Sequence, residues 1–335
     1  MPGPIPIFRD AARNYSADAC QPLAAAVAAG QVRLEALRHG HYPGRRCGNG
    51  VLPGVKMVGF WHAEVDQHWG LPWHRNEGIE FTFLDSGRVG FAVDEQRFDL
   101  IPGDMTFTRP WQRHCVGSPN VTASRLIWLI LDVGVRRPDQ PWKWPSWIIL
   151  DARDLRDLTD ILRHNEQPVW KANAEIRRCF QAIAQGVEAD RDGDHASLLM
   201  LRFNDLLLVT LQMFRQNKIH LDHTLSSTRR TVELFLNDLR RHPEHLALQW
   251  TLGEMAESCG LRATQFVHHV RSLTNMSPVH FLNECRLEWA ARLLKQGKSS
   301  ITDIALSCGF SSSQYFATSF ARRYGKPPRE FRNNC

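Results

Sequence analysis

Two textures divide the chain. Between residues 32 and 133 apolar positions come in short runs rich in β-branched and aromatic side chains, as in Val55-Lys56-Met57-Val58-Gly59-Phe60-Trp61 and Ile79-Glu80-Phe81-Thr82-Phe83-Leu84. Asp85-Ser86-Gly87 and Ile101-Pro102-Gly103-Asp104 punctuate these runs as turns, and short strands at such close spacing predict a barrel or sandwich. After Asp151 the period lengthens. Leu155, Leu158, Ile161 and Leu162 fall at helical spacing, as do Ile176, Phe180 and Ile183, and Leu198, Leu201, Leu206, Leu207 and Leu211 mark a third, longer helix. Residues 217–228 are polar and read as a linker, and from Arg229 onward the pattern is almost wholly helical.

Within that last part the chain nearly repeats itself. Ala256-Glu257-Ser258-Cys259-Gly260-Leu261 recurs as Ala305-Leu306-Ser307-Cys308-Gly309-Phe310, and Phe266 and Val270 recur as Phe316 and Phe320. Each copy holds a small Ala that lets two helices approach, a Gly suited to a left-handed turn, and an apolar residue that plugs the corner. A second amphipathic helix then keeps an apolar inner face and leaves its outer face free. Between the copies, a helix from Pro278 to Lys295 carries Phe281, Leu282, Leu287, Ala290, Leu293 and Leu294. At 1.5 Å per residue it spans roughly 27 Å, enough to set two recognition helices about one duplex turn apart.

The second copy, Ala305-Leu306-Ser307-Cys308-Gly309-Phe310-Ser311-Ser312-Ser313-Gln314-Tyr315-Phe316, and the segment from Phe320 to Arg332 resemble the signature of the AraC/XylS family of bacterial transcriptional regulators. Arg286-Leu287-Glu288-Trp289-Ala290-Ala291-Arg292-Leu293-Leu294 is similar to that family's central helix. The resemblance implies two helix-turn-helix motifs reading adjacent major-groove segments of double-stranded DNA. By position it implies base-reading roles for Thr264, Val267 and His268 in the first copy and for Ser313, Gln314, Ala317 and Thr318 in the second. Gln pairs bidentately with adenine, Ser and Thr read either base, and Val or Thr can touch a thymine methyl. Arg262, His269, Arg271, Ser312, Arg322, Arg323 and Lys326 are expected at phosphates, which hold register without reading sequence. His268, Arg262 and Asn275 depart from the family's usual Arg, Ser and Gly.

The front region carries a second resemblance. His74-Arg75-Asn76, Glu80 and Gly87 match the spacing of the first cupin motif, and Pro110-Trp111-Gln112-Arg113-His114 resembles the second. Pro102-Gly103-Asp104 also fits the sugar-binding barrels of AraC-type proteins. Asn76 stands where an enzymatic cupin has its second His, so His74, Glu80 and His114 are the residues that could hold a divalent metal, and no cofactor is expected. The expected effector contacts are Trp61, His62, Glu64, Trp73, His74, Arg75, Glu80, Arg113 and His114, a mixture of aromatic faces and hydrogen-bonding groups suited to a small molecule such as a sugar. Trp142, Trp144 and Trp147, interleaved with Pro141 and Pro145, are expected to staple the barrel to the helices that follow.

Composition sharpens this division. Residues 229–335 hold 15 Lys+Arg against 9 Asp+Glu, which accounts for the whole net charge of +6, whereas nine of the 11 tryptophans fall between Trp61 and Trp170. A neutral, aromatic-rich front and a basic back point to two different jobs. Purely apolar runs such as Ile127-Trp128-Leu129-Ile130-Leu131 are far shorter than the ~18–20 residues of a membrane span. Met1-Pro2-Gly3-Pro4-Ile5-Pro6 does not read as a signal peptide. The eight cysteines form no CxxC pair and suit a reducing compartment, so a cytoplasmic location is expected.

The fold expected from these features is multidomain α+β: a cupin-like β-barrel followed by helices, then an all-α domain with two helix-turn-helix motifs. Its expected divisions are residues 1–150 as an effector barrel with an N-terminal extension, 151–216 as a helical dimerisation or packing region, 217–228 as a linker, and 229–335 as the DNA-binding domain. The function expected is a ligand-responsive, sequence-specific transcriptional regulator rather than an enzyme, working as a homodimer and contacting RNA polymerase if it activates. A metal-dependent cupin enzyme fused to a DNA-binding module is the alternative. A constitutive DNA-binding protein with a purely structural barrel is a third reading.

Overall fold

The computed structural model describes residues 20–40, 42–94, 96–190 and 194–333, so the readings of Met1 to Pro6 and of Cys335 lie outside the described residues. The chain divides into two compact units that meet between Ser226 and Ser227.

The first unit opens with helix α1 (Gln21–Ala28) and continues through strands β1 (Arg33–Arg38), β2 (Arg45–Arg46), β3 (Val55–Ala63), β4 (Leu71–His74), β5 (Ile79–Gly87), β6 (Val89–Val93), β7 (Gln96–Leu100), β8 (Asp104–Thr108), β9 (His114–Val116) and β10 (Ser124–Leu131). Helix α2 (Ala152–His164), strand β11 (Val169–Lys171), and helices α3 (Ala174–Ala189) and α4 (Ala196–Gln216) complete it. The strands form a seven-stranded sheet, β11-β8-β5-β10-β3-β1-β2, and a four-stranded sheet, β4-β9-β6-β7. Strand β11 breaks the helical stretch expected after Asp151: Val169, Trp170 and Lys171 return to pair with β8. Three residues are too few to show a period, so pairing alone defines that strand.

Alternation along the central strands sorts side chains between two cores. Met57, Trp61, Leu126, Trp128 and Ile130 enter the space between the sheets, together with Leu23 of α1. Val58, Phe60, Phe81, Phe83, Ile127 and Leu129 face the other way and meet Leu158, Phe180, Phe203 and Phe214 of the helices. Both faces of the large sheet are thus buried, which is why β10 reads as an unbroken apolar run. Phe83 stacks on Phe180 with ring centroids 5.2 Å apart. The tryptophan segment staples barrel to helices as expected: Trp144 Nε1 donates to Thr159 Oγ1 at 2.8 Å, and Trp147 packs against Phe203.

Helix α4 is long and apolar enough to cross a membrane by length and composition, but most of that stretch is buried inside the unit, as befits a core helix. The seven described cysteines are buried. Burial pushes the thiols of Cys285 and Cys308 up to about 11, which makes them packing residues rather than nucleophiles.

The second unit is all helical: α5 (Thr228–Arg241), α6 (Pro243–Leu246), α7 (Leu252–Ser258), α8 (Ala263–Thr274), α9 (Pro278–Gln296), α10 (Ile301–Ser307), α11 (Ser313–Tyr324) and α12 (Pro328–Asn333). Ser227 caps α5 and Ser277 caps α9, each accepting a hydrogen bond from a backbone N–H of the first turn. Helix α9 is the spine on which both halves pack.

Candidate nucleic-acid interface and barrel interior

The sequence repeat is also a repeat of hydrogen bonds. Leu261 N donates to Ala256 O at 2.9 Å, and Phe310 N donates to Ala305 O at 3.0 Å. Gly260 and Gly309 both sit at positive φ, 67° and 83°, where a side chain would strain the turn. Helices α8 and α11 follow these turns. Phe266 and Val270 bury one face of α8, and Phe316 and Phe320 bury the matching face of α11.

Among the expected base-reading residues, Thr264, His268, Gln314 and Thr318 are exposed, while Val267, Ser313 and Ala317 are half-buried at the margin of the same faces. Each helix therefore offers a solvent-facing strip opposite its apolar one. Asn275, at φ 57°, ends α8 in the left-handed conformation that Gly325 supplies for α11. Asn tolerates this region better than other side chains, so the departure from Gly leaves the cap intact.

The expected phosphate contacts differ in availability. Arg262, Arg271 and Arg322 are exposed, and His269 is half-buried, with burial holding its ring below the usual histidine range. Ser312 Oγ accepts from Tyr315 N as the cap of α11, which leaves its hydroxyl proton for a phosphate oxygen. Lys326 lies 3.9 Å from Glu330. Arg323 is committed elsewhere: its Nε donates to Glu284 Oε2 at 2.6 Å, tying α11 to α9.

The barrel interior holds a buried polar group. His74 Nδ1 donates to Pro72 O at 2.7 Å, and His114 Nδ1 donates to Gln112 O at 2.9 Å. His114 Nε2 lies 2.8 Å from Glu80 Oε2. With one ring nitrogen already donating to a carbonyl, a hydrogen bond from the other to a carboxylate makes His114 an imidazolium. Burial pushes the Glu80 carboxyl up, but the hydrogen bond and charge of His114 outweigh it and hold the carboxyl below its usual range. Burial likewise pushes His114 down, and Glu80 overcomes this and raises it. Asn76 Nδ2 donates to the same Glu80 oxygen at 2.9 Å.

Around this group the interior is closed by Trp61, Trp128, Met57, Leu23 of α1 and Cys20 just before that helix, leaving about 20 Å³ of free space. That is room for one water. The expected effector contacts divide accordingly. Trp61, His74 and Glu80 line the space, and His114 is bonded to Glu80 behind it. His62 alternates with Trp61 and shares the side of Phe60, while Glu64 is exposed beyond the end of β3. Neither reaches the interior. Trp73 and Arg113 pair with each other, the guanidinium carbon 4.2 Å from the ring centre, and with Arg75 are only half-buried and absent from the cavity wall.

Residues 255–334 match the family described as a helix-turn-helix domain, and residues 61–130 match the cupin domain. The chain belongs to the AraC/XylS family. It is 28% identical over 264 residues to the virulence regulon transcriptional activator VirF of Yersinia enterocolitica, covering 77% of this chain and 90% of VirF. It is 24% identical over 267 residues to the transcriptional activator RhaS of Escherichia coli, covering 78% of this chain and 87% of RhaS. Among solved structures, a DNA-binding transcriptional dual regulator of Escherichia coli K-12 is 28% identical, covering 32% of this chain and 91% of that one, at a TM-score of 0.28. This AraC/XylS protein is a DNA-binding transcriptional regulator.

Two parts of this AraC/XylS protein's interior escape a reading of its sequence. Asn76 looks like a lost metal ligand, yet it is buried and positions Glu80. Trp128 and Leu23 look like ordinary core residues until the strand pairing and α1 bring them to the cavity wall. In the chain, only the placing of Asn76 two residues after His74 hinted at its role.

Proposed function

We propose that this regulator is ligand-responsive, with residues 1–150 sensing a small molecule, 151–216 joining protomers, 217–228 passing the change on and 229–335 reading an operator. The observation that carries the reading is the convergence of His74, Asn76, Glu80 and His114 on an otherwise apolar interior, the chemistry of a small-ligand site. A sugar suits it. Its C–H faces pack on Trp61 and Trp128 while its hydroxyls bond Glu80 and Asn76.

The free space of about 20 Å³ is far too small for a sugar, so binding requires Leu23 and Cys20 to move aside with α1. An effector that binds only the opened barrel shifts the population toward it, and equal affinity for both states would shift nothing. Titrating sugars against the full chain should raise its melting temperature and change its operator affinity. A melting temperature unmoved by every sugar at saturating concentration overturns the sugar reading.

A second reading of the effector site rests on an open cleft of about 490 Å³ on the outer face of the barrel, lined by His39, Lys56, Asp132 and Lys143 among others. Lys56 is paired with Glu77 at 2.8 Å and Asp132 at 3.2 Å, which leaves Lys143 to attract an acidic effector. A Lys143→Ala variant that loses the response, beside an Asn76→Ala variant that keeps it, would move the site there.

On DNA, Thr264, Val267, His268, Ser313, Gln314, Ala317 and Thr318 read bases, and Arg262, His269, Arg271, Ser312, Arg322 and Lys326 hold the backbone. Activation, as the names of VirF and RhaS state for those proteins, would bring RNA polymerase as a partner in the cytoplasm. Leu198, Leu201 and Leu208 leave an apolar strip exposed on α4, a face suited to a homodimer.

A further inference from the structure

The polar stretch that precedes the DNA-binding helices is fastened to the end of α2. Asp222 N donates to His164 O at 2.7 Å, and Leu221 forms an antiparallel bridge with Asn165. The stretch then makes a short turn, His223–Ser226, that sets three metal-ligating side chains together. Asp160 and His164 lie one turn apart on α2, with Oδ1 and Nδ1 separated by 2.8 Å. His223 Nδ1 lies 3.8 Å from the same carboxylate oxygen, its ring 4.3 Å from that of His164.

Asp160 sets the tautomer. His164 Nδ1–H donates to Asp160 Oδ1 at 2.8 Å, and His164 Nε2 lies 2.8 Å from Ser226 Oγ. A cation on Asp160 would replace that proton, the ring then donating Nε2–H to Ser226 Oγ, whose hydroxyl can turn to His223 O at 3.5 Å.

We propose that Asp160, His164 and His223 form a site for a divalent transition cation of the zinc class, completed by water, which clamps the interdomain stretch to α2. Two imidazoles and one carboxylate are zinc ligands, and zinc–ligand bonds of about 2.1 Å give tetrahedral edges of about 3.4 Å. The separations of 2.8 Å from Asp160 to His164 and 3.8 Å from Asp160 to His223 lie on either side of this edge, and the exposed His223 ring and Asp160 carboxylate are free to adjust. Ser226 supplies the outer hydrogen bond that zinc-bound histidines commonly have. The clamp ends immediately before Ser227, the cap of the first DNA-binding helix. The site is separate from the barrel and stands whether or not the barrel senses a ligand.

The test is a Zn²⁺ titration of the full chain against a chromophoric chelator, with excess Mg²⁺ present. The wild type should bind one equivalent that His223→Ala lacks, the variant's affinity for it falling at least about 10-fold, and Ser226→Ala should weaken it about 10–100-fold. His223→Ala leaves His74, Glu80 and His114 untouched, so any zinc held in the barrel is common to both proteins. Its melting temperature in chelator should match the wild type, because the ring is exposed. Identical titrations of wild type and His223→Ala, or displacement of the equivalent by Mg²⁺, would overturn the proposal.

Discussion

The guanidinium of Arg286 closes over Gly309. Arg286 Nε donates to Leu246 O at 3.0 Å and its Nη2 to Leu248 O at 2.8 Å, which ties α9 to the end of α6 beside Gly309. A Cβ at Gly309 would lie 2.2 Å from Leu246 O and 2.8 Å from Arg286 Nη2, on a backbone at φ +83°. Gly309→Ala should therefore destabilise the DNA-binding unit by at least about 2 kcal/mol, combining left-handed strain with overpacking. Chemical denaturation checks this. A variant as stable as the wild type would mean that the turn yields freely.

Gln314 and Arg322 should fail in different ways. Gln314→Ala should relax preference at one base pair and cost about 1–3 kcal/mol on the best site. Arg322→Ala should weaken binding about equally on all sequences and flatten the salt dependence by about one unit of slope. Selection from a randomised operator library, repeated at several salt concentrations, separates the two. An unchanged preference profile would remove Gln314 from the readout.

Arg323 invites a third comparison. Its side chain is held by Glu284, so Arg323→Ala should loosen the packing of α11 on α9 and leave the salt slope near the wild-type value. Parallel measurements of melting temperature and salt slope decide between a tie and a phosphate contact. A slope lowered by about one would restore the phosphate role.

The Glu80–His114 pair gives the barrel a pH window. His114 is raised above its ordinary value of 6.5, so its contribution is complete below that pH and is lost as the pH climbs through the raised value. Glu80 is held below its ordinary 4.5, so its contribution is complete above that pH and is lost as the pH falls through the lowered value. With chelator present, the stability advantage of the wild type over Glu80→Gln should be flat between these limits and shrink on either side. An advantage that grows above pH 8 would contradict an ionised pair.

Leu23 tests the closure of the interior. It is 2% exposed and lines the small cavity, so Leu23→Ala should cost about 2–5 kcal/mol of barrel stability. If an effector enters beside α1, the same variant should bind it more tightly, because the cost of moving that side chain is already met. Calorimetry with the cognate sugar would show a lower affinity if Leu23 instead forms part of the bound site.

Taken alone, the sequence determined what depends on near neighbours. The paired turns with their Ala, Gly and plugging residue, the change from strand to helix period after Asp151, and the spacing of His74, Glu80 and His114 are local patterns. Backbone geometry and the alternation of side chains make such patterns legible. Tertiary structure decided what depends on partners far along the chain. Strand pairing put Trp61 inside and His62 on the other side of the sheet, α1 closed the cavity with Leu23, and Glu284 claimed Arg323 across 39 positions. It also brought His223 to Asp160 and gave Asn76 a carboxylate to hold. A residue's type sets the bonds it can make, but only the folded chain brings the partner within the few ångströms over which those bonds act.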